Sequence, residues 1–408
     1  MESDLARIPV RHEAEPREVA HAAGLRYAGD EHAGFSRKRA GGRFVYLDTD
    51  RKIIRDPVIL ARIRRIVIPP AWTDVWISRF SDGHVQASGR DARGRKQYKY
   101  HPLFRAFRES NKYQHMMTFA AALPRIRATV EKHMRLRGLP REKVLATVIH
   151  LLETTLIRVG NVDYARTNGS FGLTTLKSRH VAVNGAQLKF DFVGKSGKQW
   201  SVAVTDRRAA KLIKACQDLP GQELLQYLDE AGRRRSVTSG DVNDYLREIG
   251  GPNITAKDFR TFGGTVLAAS ALIRMEPFSS ITQAKRNIRA AVALVAAGLG
   301  NTPAICRKCY IHPELIDGYL DGTLRLDIER RARREPHKHP RLTAEEAALL
   351  AFLRKRLRRG GGAPRRLKQP TARSRANAPQ TLSGRDRHRR PNLAQHHVQI
   401  RRPIAALH

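Results

Sequence analysis

The chain has 408 residues, room for two domains of ordinary size with tails. Its 76 Lys and Arg against 38 Asp and Glu leave a formal charge of +38. A compact protein so basic repels itself and calls for a polyanionic partner: nucleic acid first, an anionic membrane surface second. No run approaches the roughly 18 apolar residues of a membrane span. The opening Met1-Glu2-Ser3-Asp4 is polar and acidic, unlike a signal peptide. The expectation is a soluble, cytoplasmic chain. Three cysteines, at 216, 306 and 309, are too few for a disulfide framework.

Residues 1–19 read as a loose leader. From Ala20 to about Phe107 the pattern is short and β-like. Gly41 to Leu47 reads as a strand entered from a Gly turn, and Pro57 to Arg65 as a short helix. Val75 to Phe80 alternates apolar and polar residues, and His84 to Ala87 returns after an Asp82-Gly83 turn.

Beyond this the apolar spacing becomes helical, over 111–136, 141–158, 205–218, 239–250, 257–274, 281–298 and 343–359. The span 141–158 has the clearest stripe and delivers Arg158-Val159-Gly160-Asn161 at its end. Thr255 with Asp258 and Thr343 with Glu346 have capping-box spacing, and Thr302-Pro303 has the form of a helix start. One β element interrupts the helices: Gln187–Val193 and Gln199–Val204 read as a hairpin with Lys195 and Lys198 at its tip. From Gly360 the chain is Gly-, Pro-, Ser- and Arg-rich and is expected to be disordered. No internal repeat is found.

The fold expected is α+β: a small β-rich N-terminal domain (20–108), then a mainly helical catalytic domain containing a small sheet (109–328). A C-terminal helical region (329–359) and a basic tail (360–408) follow.

Four segments in order carry the chemistry. They are Leu156-Ile157-Arg158-Val159-Gly160-Asn161, Lys189 to Lys195 leading into the hairpin turn, Lys257-Asp258-Phe259-Arg260-Thr261-Phe262-Gly263, and Gly300-Asn301-Thr302-Pro303 running on to Tyr310. Together they resemble the catalytic signatures of type IB DNA topoisomerases of the bacterial, poxvirus-like branch. Gly172 to Lys177 and Gln97-Tyr98-Lys99-Tyr100 match further family segments, so the resemblance spans roughly residues 65–315.

The resemblance implies a tyrosine-recombinase-like catalytic core and transient cleavage of one strand of duplex DNA, without ATP, metal or cofactor. Tyr310 would attack phosphorus and hold a 3′-phosphotyrosine. Arg158 and Arg260 would bind the non-bridging oxygens, since a guanidinium fork matches a phosphate. Lys195 would protonate the leaving 5′-oxygen. Lys257, three residues before Arg260 on a helix, would assist. Asn301 stands where poxvirus members carry His and bacterial relatives commonly carry Asn. It can donate a hydrogen bond but cannot act as acid or base. The resemblance also implies DNA contacts from Gln97, Tyr98 and Tyr100 beside Arg95, and from Tyr164. It further implies monomeric action as a clamp on duplex DNA, with nucleoid association.

The bland alternatives are ordinary ones. Arg158 could be a helix C-terminal cation, Lys195 a solvated turn lysine, Tyr310 a half-buried core tyrosine and Asn301 a loop residue; the basic 89–100 segment could be a plain surface loop. Gly194-Lys195-Ser196 is no P-loop, because Lys189 stands where its first Gly is required and a strand follows. Cys306-Arg307-Lys308-Cys309 lacks the second pair that a zinc site needs. Two rival functions share features of this sequence. A tyrosine recombinase or integrase shares the same machinery, though it usually places His at the position of Lys257. A non-catalytic DNA-packaging protein would share only the composition.

Overall fold

The structure is a computed structural model that describes residues 16–334 and 341–358. The expected basic tail from 360 lies outside the described residues, as do residues 1–15 of the expected leader. The fold is α+β, and the described residues divide into two compact units between His115 and Met116.

The first unit opens with α1 (Pro16–Ala22), so a helix stands where the leader was expected to end. Strands β1 (Phe35–Ala40) and β2 (Arg43–Leu47) form a hairpin, followed by α2 (Pro57–Ile66). Asp56 caps α2 by accepting the Val58 and Ile59 amides, and Pro57 supplies a preset φ at the first helical position. Strands β3 (Thr73–Ile77), β4 (Val85–Arg90) and β5 (Lys96–Tyr100) complete an antiparallel sheet in the order β2-β1-β3-β4-β5. Ile63 of α2 packs on Val75, Ile77 and Ala87 of this sheet. Both β1 and β5 went unrecognised in the sequence. Their arginines and lysines mask the period-two alternation that marks a half-buried strand.

Helix α3 (Pro102–His133) contributes Phe104 to a small core with Ala20 and Leu25. Farther on, its Met116, Phe119, Leu123 and Ile126 enter the large core of the second unit. There α4 (Arg141–Thr155) is followed by the short α5 (Val162–Asn168). An antiparallel sheet of β6 (Val181–Asn184), β7 (Gln187–Val193) and β8 (Gln199–Thr205) comes next. The expected hairpin is β7–β8, and β6 adds a third strand. Leu188, Phe190 and Phe192 alternate inward along β7, as the pleat requires.

Then come α6 (Arg207–Gln217), the hairpin of β9 (Gln226–Leu228) and β10 (Arg234–Ser236), and α7 (Ser239–Gly250). Helices α8 (Ala256–Arg274), α9 (Ile281–Leu299), α10 (Pro303–Cys309), α11 (Pro313–Leu320), α12 (Thr323–Arg334) and α13 (Ala344–Arg358) finish the described chain. Helix α8 is the centre of this unit. Its residues from Phe259 to Val266 are all buried, so it is enclosed on every side rather than along one stripe. Both expected capping boxes form: Asp258 accepts the Thr255 amide at 2.8 Å, and Glu346 accepts the Thr343 amide at 2.9 Å.

One ion cluster ties α13 to the core. Arg127 of α3 donates to both carboxylate oxygens of Glu346 at 2.8 Å and to Glu153 of α4. Burial alone would lower the Arg127 pKa, but Glu346 and Glu153 outweigh it and raise it. Removing one partner of such a cluster leaves the others buried without compensation. Arg127→Ala is therefore expected to cost about 3–5 kcal/mol, read as a lowered urea midpoint. An unchanged midpoint would show that α13 is not held this way.

Candidate active site

The expected helix 141–158 stops three residues short, and the reason is local. Leu156 adopts the left-handed conformation (φ 56°) and caps α4, its amide bonding to Leu152 O. A buried leucine rarely takes this conformation, so the surroundings must enforce it. Arg158 consequently lies on the irregular segment that follows the helix rather than on the helix itself. That segment is cradled by the turn that follows α5. Leu173 N–H bonds Arg158 O at 2.9 Å, and Thr174 N–H bonds Val159 O at 2.7 Å. The two backbones meet at glycines: a Cβ on Gly172 would lie 2.6 Å from Arg158 O and from Gly160 N.

Arg260 projects from buried α8. It donates through Nη1 to Leu156 O and through Nη2 to Leu299 O at 2.6 Å. The guanidinium therefore grips the C-terminal ends of α4 and α9, and with them the segments leading to Arg158 and Asn301. Gly300 caps α9 in the left-handed region (φ 57°), and the chain turns at once into α10, where Thr302 accepts the Ile305 amide and Pro303 fills the first helical position. Asn301, in that turn, accepts a hydrogen bond from Arg158 Nη2 at 2.5 Å.

Tyr310 ends α10, half-buried, with the Arg260 guanidinium 5.5 Å from its ring centroid. Its position is fixed from α8. The Thr265 hydroxyl donates to Tyr310 O at 3.1 Å and accepts the His312 amide. A Cβ on Gly264 would lie 2.9 Å from Tyr310 O, and one on Gly263 would lie 2.9 Å from Leu156. The two mid-helix glycines are the sequence signal of this double close approach.

The structure thus brings Arg158, Arg260, Asn301 and Tyr310 together. Two cations share this pocket, and no carboxylate pairs with either among the described residues. Burial lowers the pKa of both arginines, with the Arg158 charge as the next cause for Arg260; the nearby Tyr310 acts in the opposite sense on both. Arg260 Nε and Asn301 Nδ2 are buried with no hydrogen-bond partner. Buried donors are normally satisfied, and two orphans beside two cations that no carboxylate neutralises can receive a multi-oxygen anion.

Lys195 and Lys257 are exposed. Neither amine is joined to this cluster by a hydrogen bond or ion pair among the described residues. Lys195 sits in the β7–β8 turn, and Lys257 lies one turn before Arg260 on α8. Tyr164 is an exposed residue of α5, which Asn161 caps by accepting the Tyr164 amide.

In the first unit, Tyr98 and Tyr100 share one face of β5, with rings stacked at 5.9 Å. Tyr98 is exposed, whereas Tyr100 is half-buried against Phe104. Arg95 and Gln97 are both held by Asp91, at 2.7 Å and 3.0 Å. That aspartate was not singled out in the sequence, although Asp-x-x-Gly-Arg is a recognisable turn.

A family model described as "Eukaryotic DNA topoisomerase I, catalytic core" matches residues 101–330. One described as "Bacterial DNA topoisomerase IB, N-terminal domain" matches residues 43–91. The chain is 30% identical over 296 residues to DNA topoisomerase 1B of Acanthamoeba polyphaga mimivirus, covering 71% of this chain and 88% of the relative. It is 25% identical over 244 residues to DNA topoisomerase 1B of vaccinia virus strain Copenhagen, covering 59% and 74%.

The chain belongs to the type IB DNA topoisomerase family. It is therefore a DNA topoisomerase, and the recombinase and packaging alternatives fall away. Among the described residues, no single helix is long and apolar enough to cross a membrane.

The close approach of α8 gives a test of the geometry. Gly264→Ala is expected to push the Tyr310 backbone outward, lowering plasmid relaxation at least ~10-fold and stability by about 1–3 kcal/mol. Relaxation at the parent rate would mean that this contact does not position Tyr310.

Proposed function

We propose that the protein relaxes supercoiled duplex DNA by cutting and resealing one strand through a covalent bond to Tyr310. The observation that carries this reading is the pocket beside that tyrosine: two guanidinium groups with no carboxylate partner among the described residues, and two orphaned N–H donors, around one half-buried phenol. Attack by the Tyr310 oxygen on phosphorus builds negative charge on the non-bridging oxygens. Arg158, Arg260 and Asn301 stand ready to receive that charge without reorganising, which is usually the largest catalytic contribution.

The phenolic proton of Tyr310 passes to solvent as the O–P bond forms, the P–O5′ bond breaks as Lys195 gives its proton to the leaving 5′-oxygen, and the 3′-phosphotyrosine keeps the backbone bond energy. Religation runs the same steps backward, so neither ATP nor a metal ion is called for. Lys257, on the Arg260 side of α8, assists the phosphate contact. Exposed Tyr98 and Tyr164, with Arg95, Gln97 and Tyr100, contact the duplex.

The deciding experiment incubates supercoiled plasmid with the protein in EDTA, without ATP. The parent is expected to relax it and to leave a protein–DNA adduct when quenched with detergent. Tyr310→Phe is expected to do neither while still binding DNA. An adduct formed by Tyr310→Phe would remove Tyr310 from the reaction.

Asp91 offers a second check, on the DNA contacts. Its pKa is held down to about 2 by Arg95, so it is a carboxylate at all working pH values and competes with phosphate for that arginine. Asp91→Asn is expected to tighten DNA binding. Each additional phosphate contact steepens the log–log salt dependence by roughly 0.9, so the slope should grow by about one. An unchanged slope would show that Arg95 does not reach a phosphate.

A further inference from the structure

The Lys195 amine is exposed, yet a proton donor must stand within hydrogen-bond reach of the oxygen it serves. Some feature must therefore fix the hairpin tip against the anion pocket. We infer that Trp200 is that feature, a positioning residue whose indole sets the distance between the Lys195 turn and the Asn301 turn. The inference rests on the reading of Lys195 as proton donor.

Trp200 lies on β8 opposite Phe192 of β7, with the two rings stacked at 6.0 Å and 8°. It is 6% exposed. Its edge meets two glycines. A Cβ on Gly194 would lie 2.7 Å from Trp200 Cδ1 and 2.8 Å from Nε1. A Cβ on Gly300 would lie 2.4 Å from Cζ2 and 2.7 Å from Cε2. One indole is thus packed directly on the residue before Lys195 and on the residue before Asn301.

Both neighbours are themselves fixed. Gly194 N–H bonds Lys198 O at 2.8 Å, closing the turn that carries Lys195. On the other side, Leu299 O is gripped by Arg260 and Asn301 is bound to Arg158. The indole is therefore a rigid spacer between the turn that supplies the proton and the pocket that holds the phosphate. At the tip of the turn Ser196 and Gly197 take left-handed φ of 65° and 72°, which reverses the chain just after Lys195.

The test uses leaving-group chemistry. A 5′-thiolate departs without a proton, whereas a 5′-alkoxide needs one. Single-turnover cleavage is compared on two duplex oligonucleotides with a mapped cleavage site, one with the natural P–O5′ bond and one with sulfur as the bridging atom. Trp200→Phe keeps a ring on Phe192 but loses the edge that meets Gly300. It is expected to slow cleavage of the oxygen linkage by ~10–10²-fold, part of the 10²–10⁴ a general acid supplies, and to leave the sulfur linkage within about threefold of the parent. Lys195→Ala is expected to show the same selectivity, more strongly. Gly194→Ala presses on the indole from the hairpin side and is the second variant should Trp200→Phe not fold.

Equal slowing on both linkages, with Lys195→Ala still selective, would overturn the placement by Trp200 and leave Lys195 as the donor. Parent rates on both linkages would overturn it as well. A Lys195→Ala protein equally slow on sulfur would remove Lys195 as donor, and the positioning inference with it.

Discussion

A buried guanidinium bound to two helix ends is the constraint on which this site depends. Arg260 donates to the Leu156 and Leu299 carbonyls, at the C-termini of α4 and α9. Helix C-termini carry partial negative charge from their unpaired carbonyls, so they compensate a cation without a carboxylate. A carboxylate would have done the same more strongly and would have cancelled the charge that a phosphate needs. The same two bonds register the ends of α4 and α9, and therefore Arg158 and Asn301, against the helix that fixes Tyr310. One side chain thus sets the geometry of the site.

That arrangement is costly, and the cost falls locally. Two like charges share a pocket, two donors lack partners, and Leu156 takes a conformation that leucine avoids. Stability has to come from elsewhere, and the unit supplies it in apolar packing around α8 and in the Arg127 cluster, where opposite charges are matched within one group. The contrast between Arg127 and Arg260 is instructive. Both are largely buried arginines. The first is ringed by carboxylates and held charged; the second is left short of negative charge and thereby suited to an anion.

What could be seen in the sequence follows from how local its cause is. The β7–β8 hairpin, the α2 helix, the two capping boxes and the Thr302-Pro303 helix start are each set by residues a few positions apart, and each was legible. The end of α4 was not. Nothing near Leu156 breaks a helix; the carbonyl of Leu156 is taken by an arginine 104 residues later. Strands β1 and β5 were hidden because cations stand where alternation would show. The anion pocket was readable as ordered motifs, since Arg158, Arg260, Asn301 and Tyr310 each lie in a recognisable segment. The packing that joins those segments was less so. At Gly172, Gly264 and Gly300 a backbone or a ring approaches too closely for a Cβ, and at Gly160 and Gly263 a side chain does; of these only the mid-helix pair Gly263-Gly264 stands out in the sequence, since a glycine outside a helix reads as one in a turn.

The turn at Asp91 shows how one local device serves different ends. Asp48, Asp91 and Asp229 each accept the amides two and four residues ahead, with a left-handed residue at the third position: Arg51, Gly94 and Gly232. The backbone reason is the same in all three: a side-chain carboxylate completes a tight hairpin that the main chain cannot satisfy alone. In two of them the second carboxylate oxygen also holds the arginine four residues ahead. A turn chosen for its shape thus brings an acid to the base of a basic strand. In a protein of charge +38 such an acid does not disturb the long-range attraction to nucleic acid. It acts at short range, holding Arg95 and Gln97 in one orientation.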